Sequence, residues 1–231
     1  MTQENRELMI RQTEAPRRGP RSLHHASAHR SLWIIALAVC FAAGCGASHP
    51  IQYYQLTVPG NAPAENTNPI PITLLIGRLT APALYREDQI VYGTGGEAMG
   101  VYEFHRWSEP PTEMISEVML RQFRAAGHYR GVYTLRSDIR GDYLLHGRLY
   151  DFKEVDEHSL IARVTMELEL RSIKSGTTVW THFYTHDEQA ASKDTGAVVA
   201  ALDKGVQQGV AEFRASLDEY FAAHPPAKDT P

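Results

Sequence analysis

Residues 160–171 read LIARVTMELELR, and the order of residue types along these twelve positions decides the fold class. Leu160, Ala162, Val164, Met166, Leu168 and Leu170 stand at every second position, with Ile161, Arg163, Thr165, Glu167, Glu169 and Arg171 between them. Successive side chains of a strand point to opposite faces, so this strand has one apolar and one mostly charged face. That is the pattern of a sheet covered on one side only. Lys174-Ser175-Gly176-Thr177 then reads as a hairpin turn, and residues 179–184 as the strand that pairs back.

Outward from this hairpin the period changes. Val198, Val199, Leu202, Val206, Val210, Phe213, Leu217 and Phe221 recur at helical spacing, which predicts a long amphipathic helix over 194–221. Toward the N-terminus, 143–155 and 131–135 read as strands. Before them, Ser108 is placed to cap a helix whose first turn holds Glu109, Pro110 and Pro111, whose apolar side is Ile115, Val118, Met119, Leu120 and Phe123, and which Gly127 ends. Strands are also expected at 101–107, at 89–92, at 71–79, where a nearly continuous apolar run implies burial on both faces, and at 52–58, with Tyr54, Leu56 and Val58 on one face. Residues 59–71 and 93–100 are loops, rich in Pro, Asn and Gly.

This order gives an α+β fold: a mixed, mostly antiparallel sheet with two helices packed on one face. No stretch inside 52–221 is rich enough in Gly, Pro or Ser to divide it, so one domain is expected there, followed by a polar, disordered tail over 222–231.

The charge is unevenly spread. Residues 1–44 hold six Arg against three Glu, a net +3, and the remaining chain holds seventeen basic and twenty-four acidic side chains, a net −7. A domain this acidic lacks the basic footprint of a nucleic-acid binder. The strongly apolar run at 32–43 is too short for a stable bilayer span but fits the core of an export signal, preceded by Arg17, Arg18, Arg21 and Arg30. It ends in Ala42-Ala43-Gly44-Cys45, small residues before a cysteine, where a lipoprotein signal peptidase would cut. Residues 1–44 are therefore expected to be a lipoprotein signal peptide and 45–51 a tether lipidated at Cys45.

Cys40 is a rival acceptor, disfavoured by the bulk of Val39 before it, and a non-lipidated signal peptide or a membrane anchor is the plainer alternative. The thirty residues before the apolar run are long for such a signal, so translation could start downstream. Cys40 and Cys45 are the only cysteines, so the domain beyond them holds no disulfide pair. Gly46, not Asp, follows Cys45, which points to the periplasmic face of the outer membrane. Three acyl chains, palmitate among them, would anchor far more firmly than one.

No Gly-x-Ser-x-Gly turn or phosphate-binding loop is present, and the glycines at 93, 95, 96 and 100 precede neither a Lys nor a helix. His182 and His186, beside Asp187 and Glu188, straddle the end of the predicted strand, where that spacing does not converge on a metal. Glu167 and Glu169 share a face with Arg163 and Arg171 and read as charge balance. His105, His128, His146 and His158 read as surface or rim residues. No catalytic residue, metal ligand or cofactor is expected, and the chain reads as a non-enzyme. Trp107, at a strand-to-helix corner, is either core or an exposed aromatic anchor of an interface.

Tyr53-Tyr54-Gln55-Leu56 close behind the lipid site, an apolar first strand, and Arg106-Trp107-Ser108-Glu109-Pro110-Pro111 opening a helix resemble, in that order, the ABC-type transport auxiliary lipoproteins. These are components of Pqi-like and mammalian-cell-entry (MCE) phospholipid transport systems. The likeness runs over about 52–221 and departs from it in the Arg-rich leader and at 85–100. It implies a lipoprotein on the outer membrane that docks an inner-membrane MCE protein with its ABC permease and ATPase, with phospholipid and a homo-oligomer as further partners. It also implies Tyr53, Tyr54, Arg106 and Trp107 as interface or fold-defining positions. The rival reading is a stand-alone outer-membrane lipid carrier or assembly chaperone, which needs an apolar cavity between sheet and helices. A surface-anchored hydrolase is a third, for which no residues present themselves.

Overall fold

The computed structural model describes residues 49–58, 66–93 and 96–226; Cys45, Gly46, the leader, Gly95 and residues 59–65 lie outside the described residues. In chain order the strands are β1 (Gln52–Tyr54), β2 (Ile70–Thr80), β3 (Gln89–Gly93), β4 (Met99–Trp107), β5 (Tyr129–Thr134), β6 (Tyr143–Asp156), β7 (Leu160–Ser172) and β8 (Thr178–Gln189). The helices are α1 (Pro111–Ala126) and α2 (Thr195–Ala223), and a short 3-10 turn spans Ala83–Tyr85.

One sheet holds all eight strands, and β6 is its seam. On one side β6 pairs antiparallel with β7 along its whole length, from Tyr143↔Ser172 to Asp156↔Leu160, and β7 pairs antiparallel with β8. On its other side β6 is shared. Its first half runs parallel to β2, which carries β5; its last three residues before Asp156 run parallel to β3, which continues to β4 and β1. The long ladders are thus antiparallel and the parallel pairings are short.

Both helices cover one face, α1 over β2 and β5 and α2 over β7 and β8. The alternation in β7 is realised: Ala162, Val164, Met166, Leu168 and Leu170 are buried beneath α2, while Arg163, Glu167 and Glu169 lie on the other face. Val198, Leu202, Val206, Val210, Phe213 and Leu217 form the buried stripe of α2. At about 1.5–3 kcal/mol for each fully buried aliphatic or aromatic side chain, this layer outweighs what the helix caps contribute. Gly205 and Gly209 let the helix sit close, since an added Cβ would meet Val164 at 2.9 Å and Met166 at 2.6 Å. The Tyr184 hydroxyl donates to the Gly205 carbonyl across the layer at 2.8 Å. Asp194 caps α2, accepting from the Ala197 amide at 2.9 Å.

Three local expectations are corrected. Ser108 does not cap α1: the helix begins at Pro111 after Pro110 (φ −53°, ψ 140°), with no side-chain cap. The residue before a proline is pushed out of the helical region, so Pro110, before Pro111, stays extended and the helix starts after it. The first strand ends at Tyr54, not Val58, because Gln55 onward turns away toward α2. His182 and His186 lie inside β8, which continues to Gln189. Gly127 ends α1 in the left-handed conformation (φ 65°), and Gly176 turns the β7–β8 hairpin (φ 72°), both as expected.

Candidate functional site

The corner nearest the chain's first described residue is built from β1, β4 and the start of α1. Gln52, Tyr53 and Tyr54 run parallel to His105, Arg106 and Trp107. Alternation turns Tyr54 and Trp107 inward together and Tyr53 and Arg106 outward. Tyr54 donates its hydroxyl proton to Gln52 Oε1 at 2.9 Å, and the hydroxyl oxygen lies 3.1 Å from His105 Nδ1. The Ser108 amide donates to the Tyr54 carbonyl at 2.7 Å, which closes the strand-to-helix corner over β1.

Beyond β1 the chain is fastened to α2. Leu56 is buried, the Thr57 amide donates to Asp203 Oδ1 at 3.1 Å, and Gln207 Nε2 donates to the Thr57 carbonyl at 2.7 Å. The segment after β1 is thus held to both the sheet and the long helix.

The four residues singled out around this corner have different surroundings. Tyr53 is 63% exposed. Tyr54 is half-buried, and burial raises its hydroxyl pKa, with the Asp194 charge adding to the rise. Arg106 Nη1 donates to Asp88 Oδ1 at 2.8 Å, while its Nε is buried with no acceptor among the described residues. Trp107 is 1% exposed, with its ring centroid 5.2 Å from that of Phe152 and its indole N–H also without an acceptor there. Of its two readings the core one holds, and in this position Trp107 cannot touch a partner. Sequence reasoning missed His49, Ile51 and Phe104, which share the outward face with Tyr53. The signal was available: residues 49, 51 and 53 fall at alternate positions.

Elsewhere the polar clusters are internally paired. Arg163 grips both oxygens of Asp187 at 2.7 Å, and that bond holds the Asp187 carboxyl below the usual range. Glu167 accepts from Tyr150 and Glu169 from Thr178, so these two carboxylates have separate partners and form no acid-base pair. His182 meets Glu212 at 2.8 Å, and His186 meets Glu188, which also binds Lys204. Among the described residues no group of three or more His, Cys, Asp or Glu is arranged to hold a metal ion. Nor is any described helix long and apolar enough to cross a membrane.

Among the described residues the surface opens into clefts at two places of note. One, of about 420 Å³, lies between α1 and the β2–β5 edge, with Ile76, Leu120 and Leu135 among its apolar walls and the Arg78–Glu113 ion pair at 3.0 Å. The other, of about 500 Å³, is lined by Tyr92, Tyr102, Glu103, Glu154 and Asp156. Glu154 is a buried carboxylate that sequence reasoning also missed; the Tyr102 hydroxyl lies 2.9 and 2.8 Å from its two oxygens.

A family model described as ABC-type transport auxiliary lipoprotein component matches residues 54–213, from the end of β1 to the last third of α2. The fold is similar to that of a Xanthomonas campestris protein of the DUF330 family, known from a crystal structure, with a TM-score of 0.62 and 22% identity over 70% of this chain and 92% of that one. It is also similar to a second, uncharacterized protein of known crystal structure, with a TM-score of 0.58 and 14% identity over 73% of this chain and 99% of that one. None of the curated proteins matches.

Proposed function

This chain belongs to the ABC-type transport auxiliary lipoprotein component family, and from that we propose that it is the lipid-anchored outer-membrane subunit of an MCE-type intermembrane phospholipid transport system. In this reading Cys45 carries the acyl chains, residues 1–44 are the cleaved signal, and the domain from residue 52 docks an inner-membrane MCE protein whose permease and ATPase supply the energy. The observation that carries the reading is the family match across the folded sheet. The tethering corner supports it: a chain arriving from Cys45 is bound to β4 and to α2 within a few residues of His49.

The rival, a stand-alone lipid carrier, requires an apolar cavity between sheet and helices. Most of that layer is filled by Val118, Phe123, Leu145, Val164, Leu202 and Phe213, all fully buried, and the cleft of about 420 Å³ between α1 and the β2–β5 edge is open and rimmed by Arg78, Glu109, Glu113 and Glu117. Docking is therefore the reading the geometry favours. The test is a pull-down from detergent-solubilised membranes, with Cys45→Ala beside the unaltered chain. Recovery of an MCE protein with its permease is expected; consistent recovery of none would overturn the docking role. Cys45→Ala is expected to fold normally but to leave the membrane fraction and lose membrane-dependent function.

A further inference from the structure

We propose that the outward face formed by Tyr53 of β1 and by His49 and Ile51 just before it, with Phe104 of β4 beside them, is a lipid-facing surface that rests in the headgroup layer of the bilayer holding the anchor. The proposal depends on Cys45 being the lipidated residue, as in the reading above.

His49, Ile51 and Tyr53 stand at alternate positions and are all exposed, and the chain is bound to β4 from Gln52 onward. The register sets Tyr53 beside Arg106, and Phe104 joins the group through its ring contact with His49. The His49 ring lies 5.4 Å from the Phe104 ring, Ile51 is 45% exposed and Phe104 37%. Single exposed apolar residues need no explanation, and the chain has others, such as Ile139, Ile173 and Phe183.

Covalent distance sets this group apart. Four Cα–Cα steps of about 3.8 Å separate Cys45 from His49, so the first residue of the group is held within roughly 15 Å of the lipidated residue however the tether runs. The polar layer on each side of a hydrocarbon core is about 5–8 Å deep. A tether this short brings the nearest face of the domain against the headgroups, and that face is His49, Ile51, Tyr53 and Phe104.

Its chemistry suits the place. Tyr and other amphipathic rings favour the membrane–water interface, with the apolar body inward and the polar tip wet. The nearby cation, Arg106, is already compensated by Asp88. Because β1 is bonded to β4 and the following residues to α2, this contact would set the orientation of the whole sheet. In the strand row β1-β4-β3-β6-β7-β8 the last strand is five neighbours away, roughly 24 Å at ordinary strand spacing, and carries exposed Phe183.

The test uses the lipidated full-length protein. Cys40 lies in the leader and the Cys45 sulfur is acylated, so Tyr53→Cys, Phe104→Cys and Phe183→Cys each present one free thiol for a polarity-sensitive fluorophore. Ile51→Cys replaces Phe104→Cys if the latter melts early. In phosphatidylethanolamine and phosphatidylglycerol vesicles containing lipids brominated near the headgroup, the labels at 53 and 104 are expected to shift to the blue and lose emission, and the label at 183 to emit as in water. Water-like emission at all three, with the acyl chains confirmed by mass, would overturn the proposal and leave the anchor intact. Shielding at 53 and 104 that appears only when a partner protein is added would assign the face to protein and also overturn it. A mass without acyl chains would remove the anchor reading and this one with it.

Discussion

Gly147 of β6 and Glu167 of β7 meet backbone to backbone: a methyl group built on Gly147 would stand 2.0 Å from the Glu167 carbonyl oxygen. Leu79 of β2 pairs with the same glycine, on the opposite side of β6. Neither neighbour can retreat without breaking a ladder. Gly147→Ala is therefore expected to lower stability by about 3 kcal/mol, the upper end of what overpacking with forced backbone shifts costs in a packed core. Gly96→Ala, where nothing lies within 4 Å, should stay within about 0.5 kcal/mol of the parent. Thermal melts of the two variants decide the matter; equal melting temperatures would refute the close approach.

Trp107 combines a filled volume with an unpaired donor. Trp107→Ala should cost about 3–5 kcal/mol in urea denaturation, as large-to-small changes in cores do. Trp107→Phe should cost much less than the Ala change, because the variant keeps most of the contact with Phe152 and removes a buried N–H with no acceptor, itself unfavourable by about 1–3 kcal/mol. A Phe variant as unstable as the Ala variant would show that the indole N–H is satisfied.

Residues 55–58 hang on two side chains of α2. Asp203→Ala with Gln207→Ala removes the acceptor for the Thr57 amide and the donor to its carbonyl. Global stability should fall modestly, by about 1 kcal/mol per lost bond, since both sites are close to solvent. The larger effect should be local, with amide exchange at Thr57 accelerating while that of α2 stays slow. Unchanged exchange at Thr57 would mean that burial of Leu56 alone fixes the segment.

Periodicity made much of this fold legible. The alternation of β7, the helical spacing of α2 and the apolar run of β2 each follow from burial on one face, one stripe or two faces, so residue order alone reveals them. Partner choice does not follow from burial in the same way. In residues 143–156 the buried positions switch from Leu145, Gly147 and Leu149 to Phe152 and Glu154 at the irregularity between Leu149 and Asp151, a change of parity that marks the break but not which strand each half of β6 pairs with. Nor does any local signal mark Gly147 as a close approach. At the α1 start, two rules competed and the proline rule won over the Ser108 cap.

The site was legible to the same degree. Adjacent Tyr53 and Tyr54 must point oppositely in a strand, yet which faces out depends on the register with β4. Trp107 took the core place for the same reason, and its two readings could not be separated before that register was known. Glu154 escaped notice because its flanks, Lys153 and Val155, give it no distinguishing pattern.

Glu154 supplies a prediction with a defined sign. It is 6% exposed, and its side-chain partner is Tyr102, whose single hydroxyl proton serves two carboxylate oxygens. Burial raises its pKa above 4.5, the Tyr102 bond opposes the rise, and Asp156 adds to it. A carboxyl with a raised pKa binds its proton more tightly in the folded state than in the unfolded chain. Its contribution to stability is therefore complete below pH 4.5 and is lost as pH climbs through the folded-state pKa. Glu154→Gln keeps the shape and an acceptor for Tyr102 but cannot ionise. Measured by denaturant titration, variant and parent should show their smallest difference below pH 4.5, and the variant should gain relative to the parent as pH rises toward neutrality. Tyr102→Phe should move the opposite way, steepening the parent's loss, because it removes the one bond that favours the ionised form. A gap between parent and Glu154→Gln that stays constant with pH would mean that the carboxyl titrates as it does in the unfolded chain, with water reaching it in place of Tyr102.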